Sequence, residues 1–348
     1  MSIEVVKKDY FKIDMLSSSD LRLFATDRKK FYKKNILKEK EEDADDYNRA
    51  TLIGNLCHSM LLEPELFDEK YLVSECAETP TGLMLKFTEA LYDATVNNLD
   101  HQGSILVDMP ALAQMAWEAS GFKISLDAVM KKFAGSTAEQ YYNDLRRSRP
   151  NNLLLVCIDD LSIANSITAS ILGDEFVGPI FTIPADNNTI FSEIQVENVK
   201  FLGTSMKAML DRVIVDHGDK TIQLYDLKVV WDNQNFYSEY YVKKLAYIQA
   251  LVYHTALAQK TVDLGFDYSN YYVKLPIFVV ADSSNFYAPV QYKLHLNNME
   301  DAMNGFEYRG RMYKGAKEIV QEIIWAVETN NWRISKEAWD SNGILTLK

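Results

Sequence analysis

Residues 223–230, QLYDLKVV, place an acid and a base on one face of an otherwise apolar strand. Asp226 and Lys228 are two apart, so in an extended chain they point the same way, with Leu224 before them on that face. Tyr225, Leu227 and Val229 point the other way. A structural ion pair and a functional site both account for such a pattern, and the flanking chain has to separate them. Upstream lies a second apolar run, SMKAMLDRVIVD (205–216), joined to the first by the polar turn DHGDK (216–220). If the two runs form a hairpin, a turn centred at 218 brings Asp211 near 225 or 226 across the ladder.

Around this hairpin the pattern is strand-rich. Strands are expected at 178–184, 189–197, 200–205, 208–216 and 221–230, then at 271–280 and 287–295. Helical spacing marks 17–35 (with Ser18 or Ser19 as the cap), 48–62, 158–172, 235–260 and one long amphipathic helix over 298–329. From about 80 to 150 the chain is helical and polar-rich, with breaks at Gly103, Pro110 and Gly121. The run KEKEEDADDY (38–47) reads as a solvated loop. No internal repeat is visible. The expected fold is α/β: a mixed central sheet flanked by helices, as a single domain over 1–348 with a helical insertion at 80–150.

The bulk numbers bound the function. Hydrophobic residues make up 47% of 348, ample for a core, and exclude wholesale disorder. A net charge of −12 argues against a generic polyanion binder, yet one basic groove can sit on an acidic body. No apolar run reaches membrane-spanning length, and the first residues lack a signal-peptide core, so no membrane association is expected. Cys57, Cys76 and Cys157 are odd in number and widely spaced, which suits free thiols in a reducing cytoplasm.

Four polar features fall on apolar elements: Glu193 in TIFSEIQVEN, Asp211, the Asp226/Lys228 pair, and His58 in GNLCHSMLLEPE. Gln249 and Tyr253, four apart in KKLAYIQALVYH, share a helix face. Two buried acids brought together repel unless a proton or a cation lies between them. Mg²⁺ or Mn²⁺ suits carboxylate ligands, and the Leu227 carbonyl is available as another. Lys228 could then hold or deprotonate an attacking water and balance phosphate charge, giving metal-assisted phosphodiester hydrolysis.

Asp211 followed by Asp226-Leu227-Lys228 resembles the motif of the PD-(D/E)XK nuclease superfamily, whose core is restriction-endonuclease-like. The flanking text resembles the RecE-type (exonuclease VIII-like) phage and prophage exonucleases. LIGNLCHSMLLEPELFDEKYLV is similar to their G-x-x-x-H…LEPE-x-F…Y segment, and GTSMKAMLDRVIVD to their K-x-R-x-D strand, with Met209 where arginine is usual. YVKKLAYIQALVYHTAL resembles their Q-x-x-x-Y helix, and SSSDLRLFATDRKKFYKK their first helix, with Asp27 where proline is common. Val229 stands where threonine is frequent. The resemblance covers roughly 15–75 and 190–295.

The resemblance implies a Mg²⁺-dependent deoxyribonuclease, a double-strand DNA exonuclease of phage-type recombination. Asp211 and Asp226 would ligate metal, Glu193 would act on metal or its water, and His58 would approach metal or phosphate. Lys228 would be the catalytic lysine, Gln249 would order the site, and Lys207 and Tyr253 would meet DNA. Apart from the resemblance, Gly54 is expected to allow close helix packing near the site. A homo-oligomeric ring and a single-strand annealing protein are the implied partners besides DNA. Two alternatives stay open: an endonuclease or single-strand nuclease of the same fold, and an inactive DNA-binding or phage assembly module.

Overall fold

The computed structural model describes residues 10–39, 49–100, 102, 104–182, 187–261, 268–284 and 288–345. The break at Gly103, residues 40–47 of the charge run and the tail of the 178–184 stretch lie outside the described residues.

In chain order the elements begin with α1 (Ser18–Thr26), α2 (Arg28–Phe31), α3 (Arg49–Leu62), α4 (Phe67–Lys70) and β1 (Tyr71–Val73). Next come α5 (Gly82–Asn97), α6 (Met109–Ser120), α7 (Leu126–Phe133), α8 (Thr137–Ser148), β2 (Leu154–Val156) and α9 (Ile158–Gly173). Then follow α10 (Gly178–Phe181), β3 (Asn188–Phe201), β4 (Thr204–Asp216), β5 (Thr221–Val230) and α11 (Ala246–Lys260). The chain continues through β6 (Tyr272–Val273), β7 (Ile277–Asp282), β8 (Val290–Lys293), α12 (Leu296–Asn304), β9 (Phe306–Tyr308) and β10 (Arg311–Tyr313). It closes with α13 (Ala316–Thr329) and α14 (Lys336–Asp340). The protein is thus mixed α/β, with a central mixed sheet flanked by helices.

The chain divides into two compact units, one of residues 1–48 with 169–348, the other of 49–168. In the first, the strands run in the order β3-β4-β5-β7-β8, with β6 beside the start of β5. The β3–β4–β5 meander is antiparallel, and β5 pairs parallel with β7. A parallel neighbour needs a crossover, and the chain between β5 and β7 supplies it through α11. The core holds Ile222 and Leu224 of β5 and Phe278 and Val280 of β7, with Tyr247, Ile248 and Leu251 of α11 and Leu21 and Phe24 of α1.

Several expectations on this unit need correction. Ser17, not Ser18 or Ser19, heads α1: its backbone N–H and its hydroxyl both donate to Asp20 Oδ2, at 2.9 and 2.7 Å. Burial pushes the Asp20 carboxyl up, but the bonds from Ser17 and the nearby Lys34 outweigh it and hold it below the ordinary value. The expected helix 17–35 breaks at Asp27, which caps α2 by accepting from the Lys30 N–H at 2.9 Å. The apolar run at 178 is helical (α10), because a short apolar segment fits either period. The long helix 298–329 is α12, a β9–β10 hairpin and α13. Gly305 (φ 88°) and Gly310 (φ 75°) take the left-handed conformations that end the helix and turn the hairpin.

The 49–168 unit contains the 80–150 stretch. Its β1 and β2 pair in parallel, Tyr71 opposite Leu154. Phe87 packs edge-on to Phe122 and Phe133, which in turn meets Tyr142, with ring centroids 6.3, 5.5 and 6.2 Å apart. Glu63 of the LEPE segment holds Lys70 Nζ at 2.6 Å, tying the exit of α3 to α4. A Cβ on Gly54 would meet nothing within 4 Å, so close packing does not explain that glycine. Cys57, Cys76 and Cys157 are free and buried, and burial pushes the Cys57 thiol up to about 12. No helix among the described residues is long and apolar enough to cross a membrane.

Candidate metal centre

The centre is built on the β4–β5 hairpin. Asp216 fixes the turn, its Oδ1 accepting from the N–H groups of Gly218 and Asp219 at 2.9 and 3.0 Å. The ladder then pairs Asp216 with Thr221 and, at its far end, Arg212 with Tyr225. One step further, the same register sets Asp211 opposite Asp226. Here regular pairing gives way to a side-chain bond: the Leu227 N–H donates to Asp211 Oδ2 at 2.8 Å.

On the other side of β4, Ser192 pairs with Arg212 and Ile194 with Leu210, which leaves Glu193 facing Asp211. Glu193 has φ 49°, a left-handed conformation in the middle of a long strand. Such a conformation disfavours a residue with a Cβ by about 1–2 kcal/mol and marks a place where the surroundings dictate the backbone. A ligand oxygen of Glu193 and one of Asp211 lie within 4.8 Å of each other. Two negative charges at that spacing repel by about 3 kcal/mol in a protein of effective dielectric ~20. An all-oxygen anionic pair fits a hard divalent cation, so these two side chains can hold a metal ion.

Asp226 is 2% exposed, and both its oxygens are engaged. Oδ2 pairs with Lys228 Nζ. Oδ1 accepts from Gln249 Nε2 at 2.9 Å. Gln249 Oε1 in turn accepts from Arg22 Nη1 at 3.2 Å. Lys228 Nζ also reaches the Leu227 carbonyl at 3.4 Å. Burial pushes the Tyr253 phenol well above its usual value, and the charges of Asp211 and Asp226 push it the same way, so it stays a neutral donor.

A cavity of about 330 Å³ opens beside this group, lined by Tyr10, the three serines 17–19, Arg22, Met209, Lys228, Gln249 and Tyr253. Its walls carry two cations, hydroxyls and an amide but no carboxylate, a lining suited to an anionic substrate.

The structure therefore brings Glu193, Asp211, Asp226, Leu227 and Lys228 together in the middle of the β3–β4–β5 meander, under Gln249 and Tyr253 of α11. Of the acids, Glu193 and Asp211 lie close enough to share an ion, and Asp226 is not within that group. Lys207 is on the same strand face as Asp211, but its ammonium donates to the carbonyls of Tyr10 and Ile13 at 2.9 and 2.8 Å. His58 is half-buried on α3, in the 49–168 unit. Sequence reasoning missed Arg22. Its spacing of four from Ser18, on a helix whose other face buries Leu21 and Phe24, was the available signal. The backbone of Glu193 carried no signal, since glutamate has no preference for positive φ.

No protein-family model and no curated protein matches the sequence. Among solved structures, the chain is similar to a crystal structure of a protein from Eubacterium rectale that bears a provisional exonuclease name, at 12% identity and TM-score 0.44. The likeness covers 100% of this chain and 96% of that one.

Proposed function

We propose that the unit of residues 1–48 and 169–348 carries a divalent-metal-dependent deoxyribonuclease centre, and that its reaction is exonucleolytic cleavage of double-stranded DNA in phage-type recombination. One observation carries the reading: Asp211 lies between Glu193 on one neighbouring strand and the Leu227 N–H, beside Asp226 and Lys228, on the other. The Asp-x-Lys sequence pattern supports it independently.

Glu193, Asp211, the Leu227 carbonyl and Asp226 are the proposed oxygen ligands for Mg²⁺ or Mn²⁺. When bound, such a cation supplies Lewis acidity toward a phosphodiester oxygen and toward water. Lys228 supplies a positive charge at the cavity wall, where it offsets charge on the phosphate oxygens and orients the attacking water. Asp226 keeps that ammonium in place, and Gln249 keeps Asp226 in place. Tyr253, held protonated, donates toward the substrate. Lys207 reaches DNA only by leaving the carbonyls of Tyr10 and Ile13. A ring of protomers and a single-strand annealing partner complete the proposal on the sequence resemblance.

The test is release of nucleotides from linear duplex DNA in Mg²⁺, with covalently closed circular duplex left intact. Lys228→Ala should lower the rate by about 100-fold or more. Cleavage of the closed circle selects the endonuclease reading. A Lys228→Ala protein of full activity refutes the assignment.

A further inference from the structure

Glutamine carries one accepting and one donating end, and the two are exchanged by a half-turn of the amide. At Gln249 the surroundings admit one orientation. Asp226 Oδ1 is an acceptor and takes the Nε2 donor at 2.9 Å. Arg22 carries only donors and takes the Oε1 acceptor at 3.2 Å. Among the described residues, Gln249 is the acceptor this guanidinium finds, and no carboxylate pairs with it. Without the arginine, a flipped amide would turn its oxygen on Asp226 Oδ1 and lose the Nε2 bond to it.

We propose that Arg22 is a positioning residue of the metal centre: it locks the Gln249 amide in its donating orientation and thereby fixes the Asp226 carboxylate. This rests on the proposed function, in which Asp226 serves a divalent cation. The arrangement has the form by which an outer hydrogen bond orients a ligand and tunes affinity. Burial lowers the guanidinium's pKa, and the nearby Asp226 charge acts against that lowering. Arg22 also lines the cavity beside Lys228, so its state bears on the wall that meets substrate.

The experiment is a Mn²⁺ titration by calorimetry, without DNA, on the full chain and on four variants: Arg22→Met, Arg22→Lys, Gln249→Met and the Arg22→Met/Gln249→Met double variant. Thermal unfolding of the metal-free proteins runs alongside. Arg22→Met should weaken Mn²⁺ binding about 10-fold or more. Arg22→Lys retains a cationic donor for Oε1 and should recover most of the loss. The double variant should bind as Gln249→Met does, because Arg22 acts through that amide. Wild-type affinity in Arg22→Met, a loss in the double variant equal to the product of the single losses, or no recovery in Arg22→Lys overturns the inference. A wild-type chain that takes up no Mn²⁺ overturns the metal reading beneath it. The unfolding midpoints separate either result from simple misfolding.

Discussion

The Leu227 backbone N–H donates to Asp211 Oδ2 at 2.8 Å, so a side chain on β4 replaces the ladder bond where the hairpin's regular pairing ends. An asparagine at 211 keeps an oxygen for that bond but removes the charge. Asp211→Asn should therefore fold with a metal-free melting temperature equal to or above wild type, because repulsion with Glu193 is relieved. It should bind Mn²⁺ too weakly to measure at millimolar metal, and nuclease activity should fall about 100-fold or more. Calorimetry, melting and a nucleotide-release assay check the three parts.

Glu193 takes a conformation that only glycine accepts without strain. Glu193→Gly should raise stability by about 1 kcal/mol while lowering metal affinity. Denaturant unfolding without metal, compared with Mn²⁺ titration, reads both. A destabilised Glu193→Gly would mean that the strand tolerates the conformation at no cost.

Lys207 ties the Tyr10–Ile13 segment to β4 through two carbonyls, and its ammonium lies 4.8 Å from the centre of the Tyr10 ring. Lys207→Met should cost about 1–3 kcal/mol and expose the N-terminal segment to protease. KM for duplex DNA should move less than twofold at constant ionic strength. A large rise in KM with unchanged stability would instead make Lys207 a phosphate contact.

Glu322, 4% exposed, pairs with Arg28 and with Lys314 Nζ at 2.9 Å and accepts from the Lys336 N–H at 2.9 Å. Burial pushes its carboxyl up, yet these donors outweigh burial and hold it below the ordinary value. A lowered acid stabilises the fold above its unfolded pKa, near 4.3, and loses that contribution as pH falls through the folded value. Glu322→Gln should be destabilised by about 3 kcal/mol at neutral pH. Its stability should fall less steeply than wild type below about pH 4. Urea unfolding from pH 7 to pH 3 tests both.

The hairpin was legible because the polar DHGDK turn separates two apolar runs, and counting outward from it fixes which residues oppose each other. Asp211 and Asp226 follow from that count. The interior of α12 to α13 was not legible by period, since its apolar spacing continues through the segment, and the glycines at 305, 310 and 315 mark the breaks. The end of α1 at Asp27 was hidden by the equally helical residues after it. Asp226 was expected beside Lys228 as a metal ligand or an ion pair; the fold pairs it with Lys228 and adds the bond from Gln249, which spacing did not reveal. Sequence spacing places side chains on faces but does not say which hydrogen bonds they close.

The bond between Arg22 and Gln249 joins positions 227 apart. At ordinary elongation rates the first is made roughly ten seconds or more before the second. During synthesis Leu21 and Phe24 of α1 therefore gain their contribution from α11 only after the β3–β5 meander has been made. A chain ended before α11 lacks Gln249, and with it the bond that Arg22 makes across the unit.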